Sequence, residues 1–164
     1  MKKLLPILVA WLLVACSYSV YMTRYPHLKT VRVTTFENRS TQYTVQEELL
    51  SDLVSQIQRD GQLKVVEQAP DCVLEGVILD YKNSVYDYTA TDVVTQYKVQ
   101  MLFSVTLTDL VKNEELWHNE SLLLEQAYST TSSQSGLPAT EEGARKEIYE
   151  DLYNTLMENT FESW

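Results

Sequence analysis

The sequence predicts an α+β domain: a small mixed β-sheet of four to five strands with two helices packed on one face. Three patterns carry that expectation. Strand, helix and strand signals follow one another across residues 30–66, a βαβ beginning. Three alternating segments then form an antiparallel meander with a long hairpin. A second amphipathic helix closes the chain. With 164 residues there is chain for one domain and one core.

Residues 1–15 read as a lipoprotein signal peptide. Lys2 and Lys3 precede an apolar run, Leu4 to Val14, that is too short to span a bilayer, which takes about 20 residues. Leu13-Val14-Ala15-Cys16 resembles the bacterial lipobox. That resemblance implies acylation of the Cys16 thiol, cleavage before it, and a firm membrane anchor through several acyl chains. Ser17 follows, where an Asp would imply retention at the inner membrane; Ser implies export to the outer one. Residues 16–28 form the lipidated Cys and a tether, and 29–164 a single domain.

Thr30 to Phe36 alternates Val31 and Val33 with polar residues, a half-buried strand, and Glu37 to Ser40 reads as a loop. Thr44-Val45-Gln46-Glu47 matches a capping box. Val45, Leu49, Leu53 and Ile57 then give one apolar helix face, which Gly61 closes. Leu63 to Val66 is a short strand. Cys72 to Tyr81 reads as a strand buried on much of both faces. Tyr97 to Leu107 alternates most regularly, and Leu116 to Glu125 follows after a turn at Lys112-Asn113-Glu114. Val85 and Tyr86 to Tyr88 extend the hairpin past the domain edge. Residues 128–135 form a Ser/Thr-rich loop. Thr140 caps the second helix, Glu141 and Glu142 suit its positive end, and Ala144, Ile148, Leu152 and Leu156 form its buried stripe.

Charge and composition exclude several functions. The net charge is −10, and loss of Lys2 and Lys3 with the signal peptide takes the mature chain to −12. Nucleic acid is therefore not an expected partner, because phosphate binding needs a cationic footprint. A structural zinc site of four Cys and His ligands would need both Cys and both His of the chain. No nucleophile elbow, metalloprotease, phosphate-loop or dinucleotide motif is present, so neither enzyme activity nor a cofactor or metal is expected. His27 falls in the tether and His118 on a strand beside Trp117. Paired acids such as Glu47-Glu48 are adjacent in sequence and diverge on a helix. With Cys16 acylated, Cys72 is a lone thiol in an apolar run and reads as a small buried hydrophobe.

The chain has 11 Tyr against 3 Phe. Tyr81, Tyr86, Tyr88 and Tyr97 cluster at the hairpin with Val85, Asp87 and Asp92. Tyr suits surfaces that are apolar on one side and wet on the other, so these residues are the candidate partner-binding group. Residues 84–96 hold two Asp and no Lys or Arg, while Lys82 and Lys98 flank them.

Taken in order, the lipobox, Val31 to Ser40, Leu63 to Val66, Asp71 to Gly76, Tyr97-Lys98-Val99, Leu107 to Leu110 and Glu115-Leu116-Trp117 resemble the LptE family of lipopolysaccharide-assembly lipoproteins, across about residues 28–164. The resemblance implies two helices on a small mixed sheet, residence at the periplasmic face of the outer membrane, and a role plugging and helping assemble the LptD β-barrel translocon. It also implies lipopolysaccharide as a ligand, an anion for which Lys82 and Lys98, flanking the hairpin, are the candidate contacts. The lipobox followed by Val33-Thr34-Thr35-Phe36-Glu37-Asn38-Arg39-Ser40 is similar as well to curli-secretion and penicillin-binding-protein-activator lipoproteins. The long hairpin and closing helix favour the translocon plug.

Overall fold

A computed structural model of the chain describes residues 24–88, 93–130 and 136–162. The expected signal peptide, Cys16, Ser17, Asp92 and residues 131–135 of the Ser/Thr-rich loop lie outside the described residues.

In chain order the elements are β1 (Thr30–Val33), β2 (Glu37–Asn38), α1 (Val45–Asp60), β3 (Lys64–Val65), β4 (Cys72–Tyr88), β5 (Val94–Asp109), β6 (Glu114–Ser129) and α2 (Glu141–Met157), closed by a π-helical turn (Glu158–Glu162). They form one mixed sheet of order β3-β1-β4-β5-β6, with β2 also lying against β4. The α+β class with two helices is as the sequence predicts, with six strands where four to five were expected.

β1 runs parallel to both neighbours, Val31 lying opposite Val65 and Cys72. The β1-α1-β3 unit is therefore the expected βαβ beginning. β4, β5 and β6 are antiparallel, with Met101 between Tyr81 and Leu124. Alternation along β5 sets the layers. Val99, Met101, Phe103, Val105 and Leu107 are buried, while the residues between them are half-exposed. Leu49, Leu53 and Ile57 of α1 join the same core as Ala144, Ile148, Leu152 and Leu156 of α2.

Local geometry departs from the sequence reading in three places. β1 stops at Val33, short of Phe36. Phe36 is buried, and its ring lies on Gly76, where an added Cβ would come 2.3 Å from a ring carbon. That close approach brings the chain back onto β4, so Glu37 and Asn38, read as loop, pair with Val77 and Ile78. Thr44 makes no side-chain cap. Its backbone is left-handed (φ 69°), and its carbonyl accepts from the amides of Glu47 and Glu48 at 3.0 and 3.1 Å instead. At the other end of α1, Gly61 adopts φ 73° as a glycine cap should. The cap of α2 matches expectation, with Thr140 Oγ1 accepting from Gly143 N at 3.1 Å.

His27 is the third departure. Its place in the tether gave no sign of a partner, yet it is bonded to the buried Asp109 at the end of β5. Asp71 holds the next residues, accepting from the amides of Lys29 and Thr30 and from Thr30 Oγ1, each at 2.9 Å. The last part of the tether is thereby stitched to the base of the sheet.

Candidate partner-binding site

β4 outruns its parallel neighbours. The last of its residues paired on that side is Ile78, and from Asp80 onward it pairs with β5 alone. β6 ends at Ser129, opposite Gln96. Beyond that point only β4 and β5 continue, with Tyr88 opposite Val94. The result is a projecting two-stranded tip, as the sequence predicts.

The tip carries exposed apolar and aromatic side chains: Val85 (40%), Tyr86 (54%), Tyr88 (56%) and Val93 (55%). Asp87 is exposed beside them and accepts from the Tyr88 amide at 2.9 Å. A shift in register between Val85 and Asp87 accompanies Tyr86's position beside Lys98. Lys98 Nζ lies 4.2 Å from the Tyr86 ring centre. The same ammonium bonds Glu125 at 2.8 Å, and Gln100 bonds the other Glu125 oxygen at 2.8 Å. The bond to Glu125 raises the Lys98 pKa, and the bond from Lys98 lowers that of Glu125.

Two of the predicted residues are placed otherwise. Tyr81, read with the projecting cluster, is buried at the root of the hairpin. It faces α2, and its hydroxyl donates to Glu141 Oε1 at 2.5 Å. Burial and that bond push its pKa up. Tyr97 is half-buried and stacks on Tyr128, with ring centres 5.4 Å apart. Of the flanking cations, Lys98 is engaged as described, whereas Lys82 is exposed and pairs with no carboxylate among the described residues.

Beneath the tip lies a polar network that sequence reasoning missed. Asn83 donates to Tyr128 Oη at 2.9 Å and to Glu141 Oε2 at 2.8 Å. Arg145, with a side chain only 12% exposed, donates Nε to Glu48 at 2.9 Å and Nη1 to Glu141 at 3.3 Å. It thus ties α1, α2 and, through Glu141, the hairpin root together. The sequence signal was present only as Glu141 in a first helical turn, where a dipole role explained it fully. Nothing local marked its second role.

The remaining candidate residues stand apart from the tip. His118 bonds Thr106 Oγ1 at 2.8 Å on a strand surface. Cys72 is buried, and burial pushes its thiol up to about 12. Among the described residues, no group of three His, Cys, Asp or Glu is placed to hold a metal, and no helix is long and apolar enough to cross a membrane.

Comparison with known proteins bears on this arrangement. The family model described as "LptE: Lipopolysaccharide-assembly" matches residues 28–160. No curated protein matches. Solved structures share the fold at low identity. The hypothetical protein CT253 from Chlamydia trachomatis is 10% identical, with a TM-score of 0.58 over 81% of this chain and 98% of its own. The uncharacterized lipoprotein B from Nitrosomonas europaea is 18% identical, with a TM-score of 0.50 over 79% of this chain and 80% of its own. Protein XCC0632 from Xanthomonas campestris is 12% identical, with a TM-score of 0.50 over 82% and 89%.

Proposed function

The chain belongs to the LptE family of lipopolysaccharide-assembly proteins, and from that premise we propose that it is a non-catalytic outer-membrane lipoprotein that plugs, and helps assemble, an LptD-type β-barrel. In this reading Cys16 carries the lipid, the protein faces the periplasm, and the hairpin tip enters the barrel lumen.

The observation that carries the reading is the tip itself. Val85, Tyr86, Tyr88 and Val93 are exposed together on a strand pair stiffened from below by Tyr81, Asn83 and Arg145. An apolar-aromatic surface on a rigid element fits protein contact. Its polar hydroxyls and Asp87 suit a barrel lumen, which is polar. The direction of the tether supports the same reading. His27 is bonded at the base of the sheet, and β4, with 17 residues, carries the tip about 50 Å away. A tip inside the lumen then leaves the lipid near the periplasmic rim. For lipopolysaccharide, Lys82 is the flanking cation the fold leaves to solvent, and we assign phosphate contact to it ahead of Lys98.

The test is recovery of the tagged, lipidated protein from its native membrane in mild detergent, with mass spectrometry of what elutes. One large β-barrel at near-equal stoichiometry is expected, and a Tyr86→Ala, Asp87→Lys, Tyr88→Ala variant should lose it while remaining folded. A peptidoglycan synthase, or the protein alone as a ring, would overturn the plug reading.

A further inference from the structure

We propose that the upper edge of β6, from Leu122 to Ala127, is a strand-addition site that takes an extended segment of the barrel partner. The occupant rests on the plug reading; the site rests on the edge itself.

β6 is the last strand of the sheet and is 16 residues long. Among the described residues, the backbone bond on its outer side lies at its end, where Ser129 N donates to Pro138 O at 2.9 Å. That bond turns the Ser129 amide away from β5. Backbone alternation along an antiparallel pair then turns the N–H and C=O of Ala127, Glu125 and Leu123 to the same outer side. No strand flanks them among the described residues. Free edge groups of this kind, left to water in the isolated chain, are a template to which an extended peptide backbone adds.

Among the described residues, protection is absent here and present at the other edges. Proteins blunt an exposed edge with charge, bulges or short strands. β3 has two residues. Beyond Ile78 the unpaired edge of β4 carries Asp80, Lys82 and Asp87, and its pairing with β5 on the other side shifts register at Ile78/Asp80 and Val85/Asp87. The lower half of β6 carries Glu114, Glu115 and Glu120, and its register shifts where Asn119 faces Val105 but Leu122 faces Phe103. The upper half reads Leu122-Leu123-Leu124-Glu125-Gln126-Ala127. Its one charge, Glu125, is already bonded by Lys98 and Gln100. Leu123 is 54% exposed.

The plug reading supplies the occupant, and charge disfavours a second copy in one register: paired antiparallel about Glu125, it would set that carboxylate against itself, and directly opposed like charges destabilise a sheet. The fitting segment is one from another protein, with an apolar side chain beside Leu123 and a neutral or basic one beside Glu125.

Amide hydrogen exchange on the complex purified with its barrel tests this. The expected result is that Leu123, Glu125 and Ala127 exchange slowly in the complex and fast in the free lipoprotein. Ala127→Pro removes one outward amide that the sheet does not use, so it should leave the melting temperature unchanged and lower recovery of the barrel. Leu123→Lys, which puts a charge on the same edge, should do the same. If the barrel is recovered with wild type but these amides exchange equally fast bound and free, the strand-addition site fails and the plug reading stands. If no barrel is recovered, the plug reading fails and takes this occupant with it.

Discussion

His27 Nε2 lies 2.5 Å from Asp109 Oδ2, although 82 residues separate them. Asp109 is fully buried and splits its carboxylate between two tasks. One oxygen holds His27, and the other accepts from the amides of Val111 and Lys112 at 2.8 and 2.9 Å, building the β5–β6 turn. The residue that fixes the tether is the one that shapes the turn beside it. Replacing His27 with Ala strands part of a buried carboxylate and should cost about 1–3 kcal/mol, read as a lower denaturant midpoint with unchanged slope.

Asp109 also sets an acid limit. Burial pushes its pKa up, but the hydrogen bond from His27 and the amides of Lys112 and Val111 outweigh burial and hold it below the ordinary 3.8. A carboxyl depressed in the folded state stabilises above its unfolded pKa and stops doing so as pH falls through the folded value. Asp71, lowered first by the Lys29 amide, acts in the same direction. The melting temperature should therefore fall below about pH 4, and less steeply in an Asp109→Asn variant.

Arg145 joins two helices through a planar fork. Arg145→Ala leaves the partly exposed Glu48 and Glu141 without their shared cation and should destabilise by about 1–2 kcal/mol. Arg145→Lys should recover little of that loss, because an ammonium lacks the geometry to serve both carboxylates. Thermal unfolding of the three proteins checks the order.

Gly76 is the seat of Phe36. Gly76→Ala places a methyl 2.3 Å from a ring that is itself 2% exposed, so neither group has room to move. A loss of about 1–3 kcal/mol is expected, as for other overpacked cores. Combining it with Phe36→Leu should restore part of the loss, a non-additivity that a double-mutant cycle reads directly.

Cys72 should be silent to thiol reagents. With burial raising its pKa to about 12 and the residue fully buried, almost no thiolate is present at pH 8. A maleimide should label it only as fast as the protein unfolds, which makes labelling in denaturant a direct measure of core opening.

The overall plan was legible in the sequence because its signals are local. Period-two alternation named β5 and the hairpin, period-four apolar spacing named both helices, and Gly61 and Thr140 marked helix ends. Each of these is decided by a residue and its near neighbours. The lipobox at Cys16 and the ordered motifs from Val31 to Trp117 resembled the LptE family for the same reason: each is a short stretch of chain.

Tertiary structure decided everything that depends on residues far apart meeting. Tyr81 and Tyr86 sit five residues apart in one strand and looked alike in sequence, yet one is bonded to Glu141 in the interior and the other is open at the tip. Where α2 lies across the sheet made that difference, and no window of sequence contains both. His27 reads as tether in the sequence because its partner is 82 positions away. Thr44 matched a capping pattern, but the path from β2 into α1 gave it a left-handed backbone whose side chain makes no capping bond. Periodicity thus fixes which face of an element is buried; only packing decides which polar groups are taken inside with it, because burying them requires partners that the fold alone brings into reach.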